Sequence, residues 1–240
     1  MYTSGNMYAP SYLMGDSRVR SLETENLPIS KIWSLPGAKI YDLYEVIDGE
    51  LAEITDNADE PPLVYVSVGI CDLTHRYKRM FEGNRIDEVI VLPKESHAEI
   101  VQTAQSALQD VQRFIYSHGA IPVLSTIYPM AIGDWNAQRL NKGKTYTLTK
   151  AAEYDDMQSN LEDMCDSVNS EIINLNRQNK VKTPLLHKCL EHNRGRSRKT
   201  TIKYNLLCDG CHPTPKLAKD IAKCLAKTIA LNKQHINLDN

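Results

Sequence analysis

Short apolar runs alternate along this chain with longer stretches whose apolar residues recur every three to four positions. Each run is too short for a helix, and each longer stretch is long enough to cross from one strand to its parallel neighbour. That alternation defines an α/β chain with parallel strands joined by crossover helices. Strands are expected at Tyr12–Met14, Ile32–Ser34, Leu63–Val68, Glu88–Leu92, Ile121–Thr126 and Pro184–His187. Helices are expected at Lys39–Ile47, His97–Ser117, Glu153–Asn179 and Lys216–Leu231. In the last of these, Leu217, Ile221, Leu225 and Ile229 form a core-facing stripe, and Pro213 and Pro215 mark its start. Asp56–Pro62 reads as a turn, and polar, weakly patterned Gly133–Thr149 as a surface loop or lid.

The chain has 240 residues, 42% of them apolar and 24% charged, which suits one large α/β domain. We read it as a single domain over residues 1–240 with its core at about 11–232. The net charge of −2 implies no global pull toward nucleic acid or membrane. No apolar run approaches the length of a membrane span. The N-terminal residues lack the layout of a signal peptide, and the six cysteines lie mostly in apolar or helical stretches. An intracellular, reducing setting is the expectation.

Two short motifs carry chemistry. In Tyr12-Leu13-Met14-Gly15-Asp16-Ser17 an apolar strand runs directly into a glycine and a serine. A serine there lies on the rim where α/β sheets do chemistry, and its N–H can stabilise a developing oxyanion. The competing reading is that Asp16 or Ser17 simply caps a helix. Near the other end, Cys208-Asp209-Gly210-Cys211-His212-Pro213 places an Asp and a His three apart on a tight turn. A carboxylate that orients an imidazole in this way gives the base that a serine nucleophile needs.

Gly-Asp-Ser after the first strand, with Asp-x-x-His-Pro before the last helix, resembles the SGNH (GDSL-type) hydrolases, over roughly Tyr12 to Leu231. Ser34-Leu35-Pro36-Gly37-Ala38-Lys39-Ile40 resembles the family's second block, and Val66-Ser67-Val68-Gly69-Ile70-Cys71-Asp72 its third, strand then Gly-x-Asn-Asp. The resemblance implies a three-layer α/β/α, flavodoxin-like sandwich with a five-stranded parallel sheet. It implies Ser17 as nucleophile, His212 as general base and Asp209 as its orienter. The oxyanion hole would take the N–H groups of Ser17 and Gly37 plus a side-chain donor from the third block. Here the chain departs from the pattern, with Cys71 where the family carries Asn. A thiol is a weaker donor than a carboxamide, and loss of one such donor costs about 10²–10³ in turnover elsewhere. Gly-Asp-Ser-Arg-Val-Arg and Gly-Ile-Cys-Asp-Leu-Thr also resemble SGNH domains encoded by eukaryotic retroelements.

Other readings carry less. Cys208-x-x-Cys211-His212 matches a haem-attachment or dithiol spacing, and His187, Cys189 and His192 add soft ligands for zinc. Gly143-Lys144-Thr145 lacks the first glycine of a phosphate loop, and no Gly-x-Ser-x-Gly elbow occurs. Arg18 reads as a helix-surface residue, and His75, Arg76, Lys78 and Arg79 as a solvated face. Two functions therefore stand at this stage. One is a serine esterase for an O-acyl ester such as an acetyl ester, needing no metal or cofactor. The other is an SGNH-fold binding module that contacts nucleic acid or another polymer through the basic loop 192–203.

Overall fold

The computed structural model describes residues 9–56, 58, 60–81, 84–141, 149–150, 153–193 and 200–239. Strands β1 (Ser11–Asp16), β2 (Lys31–Leu35) and β3 (Leu63–Ser67) belong to one parallel sheet. Between β3 and the fourth sheet strand lies an antiparallel hairpin of β4 (His75–Phe81) and β5 (Asn84–Ile90). Strand β6 (Ile121–Leu124) completes the sheet in the order β2-β1-β3-β6. The chain leaves β1 in one direction to form β2 and returns past it to form β3. The sheet's switch point therefore lies between the C-terminal ends of β1 and β3, where open α/β sheets leave a crevice.

Side chains alternate across this sheet, and each face has its own core. Met14, Val64 and Val66 pack with α1 (Leu43–Asp56), the short α2 (Ile70–Leu73), α3 (His97–Ser117) and α5 (Tyr154–Gln178). Leu13, Leu63 and Tyr65 face the other way, onto α6 (Pro215–Asp239) through Leu217, Ile221, Leu225 and Ile229. The result is the expected sheet between two helical layers. Among the described residues no helix is long and apolar enough to cross a membrane.

Several local expectations change. Glu88–Leu92 contributes a strand, but to the β4–β5 hairpin and not to the parallel sheet. Its acidic neighbour Asp87 pairs with Arg76 of β4, a polar cross-strand contact that suits a half-exposed ribbon. The strand expected at Pro184–His187 is irregular chain that runs into a tight helical turn at Leu186–Cys189, so among the described residues the sheet has four hydrogen-bonded strands and not the five the resemblance implies. Proline cannot donate to a ladder, and the segment meets the sheet's extension at Thr126, whose N–H and hydroxyl both donate to Pro184 O, at 3.0 and 3.2 Å. The expected loop Gly133–Thr149 largely becomes α4 (Ile132–Asn141), and residues 142–148 lie outside the described residues. In the basic stretch, Glu191–Asn193 and Thr200–Ile202 pair antiparallel as β7 and β8, and residues 194–199 lie outside the described residues.

Asparagine takes the place of the missing strand. The buried Asn176 carboxamide accepts from Leu124 N–H at 3.0 Å and donates to Leu124 O at 2.6 Å, pairing both backbone groups on the outer edge of β6. Asn169, two turns earlier on α5, does the same for Ile127 at 2.6 and 2.8 Å. Asn136 of α4 clamps Val89, and Asn232 of α6 clamps Lys182 while donating to the Tyr65 hydroxyl. Each amide satisfies buried backbone groups that would otherwise be stranded. Asn176→Ala strands both polar groups of Leu124 and is expected to cost about 2–4 kcal/mol. Urea unfolding checks this as a lower midpoint at unchanged slope.

Candidate active site

The end of β1 is built around a close approach. A Cβ at Gly15 would collide with the carbonyl of Ser67 and with Val19, so only glycine lets β1 and β3 stay paired there. Asp16 follows, 1% exposed, and accepts from the N–H of Arg18 at 2.9 Å. The Asp16 carboxylate thus caps the turn, leaving the Ser17 hydroxyl unoccupied by any cap. Arg18 is itself buried at 4% exposure, which corrects its reading as a surface residue. Its guanidinium grips Asp16 through Nε at 3.1 Å and Nη2 at 2.9 Å. Nη1 donates to Tyr128 O at 2.9 Å, and the guanidinium lies 4.5 Å above the Tyr128 ring. A buried carboxylate needs a counter-charge, and that need overrides the surface preference of arginine. Burial favours losing the Arg18 proton, but the charge of Asp16 more than offsets it and raises the guanidinium pKa.

The second motif folds into a turn closed on itself. Cys208 N–H donates to His212 O at 2.8 Å, and Leu207 and Pro213 form a bridge. Gly210 sits at φ +82°, and a Cβ there would meet Ala131 O and Trp135 N at 2.6 Å. Its carbonyl accepts from Ala131 N–H, docking the turn against the start of α4. One oxygen of Asp209 accepts the N–H groups of Cys211 and His212 at 3.0 and 2.7 Å. The other lies 2.6 Å from His212 Nδ1. Burial pushes the Asp209 carboxyl upward, but the His212 and Cys211 hydrogen bonds outweigh it and hold its pKa below the usual value.

These two turns meet. His212 Nε2 lies 2.9 Å from Ser17 Oγ, so Ser17, His212 and Asp209 form one hydrogen-bonded chain across 195 positions of sequence. An ionised carboxylate only accepts, so Nδ1 carries the proton and Nε2 is free to accept from the serine hydroxyl. The His212 side chain remains 31% exposed and open to an incoming molecule.

The expected oxyanion side is arranged around Gly37, which follows β2 at φ +76° with an exposed backbone. No other described residue accepts a hydrogen bond from the N–H of Ser17 or Gly37. Asp72 ties this segment to the third block by accepting from Ile40 N–H at 3.1 Å. Cys71 is half-buried and close enough to Asp16 and Arg18 to feel both charges. Burial pushes its thiol up to about 11, so it stays protonated near neutral pH.

Sequence reasoning missed several neighbours. Trp135 of α4, within the expected loop, places its ring 5.8 Å from the His212 ring. Arg139, one turn on, lies 5.3 Å from the Trp135 ring and pairs with Asp87 at 2.8 Å. Asp87 also takes Arg76 at 2.8 Å, and these bonds, Arg76 first, pull its carboxyl down to about 2. Arg76, read as part of a solvated face, is partly exposed and pairs with Asp87 within the hairpin, and Arg139 links that aspartate to α4. Tryptophan in a polar stretch was the one local signal available. Cys208 is exposed and Cys211 buried, and among the described residues no group of three or more His, Cys, Asp or Glu is placed to hold a metal ion.

No family model and no curated protein matches the chain. Solved structures do. A GDSL-like lipase from Bacteroides thetaiotaomicron superposes with a TM-score of 0.57 at 13% identity, covering 96% of this chain and 92% of the lipase. An acetyl xylan esterase gives 0.52 at 15% identity, covering 90% of this chain and 97% of the esterase. At such identities the likeness is one of fold, that of SGNH hydrolase structures with a parallel sheet flanked by helices. A retroelement origin finds no support among these neighbours.

The Asp72 clamp has a pH signature. Burial raises its carboxyl from 3.8 to about 7, so the folded state holds this proton more tightly than the unfolded chain. Its contribution to stability is full below 3.8 and is lost as pH rises through about 7. Asp72→Asn cannot titrate and is expected to gain stability relative to wild type between about pH 4 and pH 7, the window of that shift. Thermal melts across that range check it.

Proposed function

We propose that the protein is a serine esterase that hydrolyses an O-acyl ester, with an acetyl ester as the first substrate to test. The observation that carries this reading is the Ser17–His212–Asp209 chain, seated at the switch point of the sheet beside two unengaged backbone N–H groups. Ser17 Oγ attacks the ester carbonyl while His212 Nε2 takes its proton. Asp209 keeps the imidazole in the tautomer with Nδ1 protonated and stabilises the imidazolium. The carbonyl oxygen becomes negative and is received by Ser17 N–H and Gly37 N–H. As the tetrahedral species collapses, His212 returns the proton to the departing alcohol, leaving an acyl group on Ser17. Water, deprotonated by the same imidazole, then releases the acid and restores the serine.

Cys71 sets the pace in this scheme. A protonated thiol donates weakly, so the third oxyanion contact falls short of what a carboxamide supplies. The openness of His212 suits an ester carried on the surface of a larger molecule better than one drawn into a tunnel. Structural neighbours that include a GDSL-like lipase and an acetyl xylan esterase support ester hydrolysis as the reaction class.

Hydrolysis of p-nitrophenyl acetate tests the scheme. Ser17→Ala is expected to lower kcat by at least about 10³-fold. Cys71→Asn is expected to raise it by about 10–100-fold. Wild-type turnover retained in Ser17→Ala would overturn the assignment of the nucleophile.

A further inference from the structure

Asp87 of β5 is buried, and it draws in more positive charge than one carboxylate can neutralise. Arg76 holds it at two points, Nε donating to one oxygen at 2.8 Å and Nη2 to the other at 2.9 Å. Arg139 of α4 adds a contact at 2.8 Å, and Arg85 one at 3.5 Å. Lys78 stands directly opposite Asp87 in the hairpin register, exposed, and among the described residues no carboxylate pairs with it. One arginine balances the aspartate, so the other cations repel one another across this face of the ribbon. The Arg76 and Arg85 side chains are 44% and 59% exposed, and a guanidinium has five N–H donors, so donors not used on Asp87 face solvent. The net charge of the whole chain is −2, so this excess is local.

The cations adjoin the active site. The Arg139 guanidinium lies 5.3 Å from the Trp135 ring, and the same ring lies 5.8 Å from the His212 imidazole. At the base of the hairpin, Arg76 follows Cys71 by five residues. In the esterase scheme His212 returns the proton to the departing alcohol, so the alcohol part of an ester lies on the His212 side of Ser17. Outward from His212 on that side come a half-buried aromatic ring and then the cations.

Resting on the esterase reading, we propose that the face shared by the hairpin and α4 selects an ester whose alcohol part is an anionic ring, one bearing carboxylate, sulfate or phosphate groups. Trp135 receives the ring, and Arg76, Lys78, Arg85 and Arg139 receive its charges. Guanidinium forks suit such oxyanions, and an excess of one charge sign beside a site raises the encounter rate of an oppositely charged substrate. The chemical steps are unchanged. The acyl group passes to Ser17 and then to water, and the anionic alcohol leaves with the proton that His212 supplies.

Acetoxypyrene trisulfonate, the acetyl ester of an anionic fluorescent alcohol, tests this beside neutral p-nitrophenyl acetate. The quantity read is kcat/KM for the trisulfonate divided by kcat/KM for the neutral ester, on the full chain. In wild-type protein this ratio is expected to fall at least about fivefold as sodium chloride rises from about 0.05 to 0.5 M. At low salt, Lys78→Gln combined with Arg85→Gln should lower it about tenfold, through KM for the trisulfonate and not through kcat. Lys78→Arg combined with Arg85→Lys should keep it, whereas a merely structural role would slow both esters alike. A wild-type ratio indifferent to salt would overturn the proposal whether or not the variants fold, and so would a ratio that survives the double neutralisation. Hydrolysis of p-nitrophenyl acetate with the trisulfonate left intact would overturn this proposal alone. Hydrolysis of neither ester would overturn the esterase reading and the proposal together.

Discussion

Asp16 is a carboxylate with almost no contact with water, placed at the end of the first strand and directly before Ser17. Such a charge survives folding only if it is matched, and Arg18 matches it from the other side of the serine. The same guanidinium holds Tyr128 through its carbonyl and ring. Tyr128 lies in the segment that leads into α4, where Ala131 N–H takes the carbonyl of Gly210. Gly210 lies in the turn that presents His212, and His212 returns to Ser17. The contacts therefore form a closed circuit around Ser17. Removing either charge alone would leave the other buried and loosen every later step.

The hairpin adds a second support. Asp87 draws in Arg76 of its own ribbon and Arg139 of α4, and Arg139 lies near the Trp135 ring that faces His212. The imidazole is thus steadied from two sides, by its carboxylate and by an aromatic whose helix is fixed to β5. On the opposite flank, Asp72 holds the segment after β2 beside the third block, which keeps Gly37 near the end of β1.

Much of the fold was legible because a parallel strand is apolar on both faces. Leu63–Val68 and Ile121–Thr126 announce themselves, as do the stripes of α3, α5 and α6. Pro184–His187 misled because its apolar content matched a strand while the edge of β6 was already paired by Asn176, and the Ile127 backbone beyond it by Asn169. These asparagines interrupt the apolar stripe of α5 and look like lapses until their backbone partners are known. Helix α4 was hidden by its polar composition. At the site, the serine turn and the Asp-x-x-His turn could be read because their chemistry is local in sequence. Arg18, Trp135 and Asp87 could not, since each depends on a partner that only tertiary folding supplies.

The most direct measurement is covalent labelling by a fluorophosphonate, which reacts with a serine only when a neighbouring base activates it. The expected result is one adduct per chain, mapped by mass spectrometry to the peptide holding Ser17 and lost in His212→Ala. No adduct on correctly folded protein, or an adduct on another residue that survives His212→Ala, would contradict an activated Ser17.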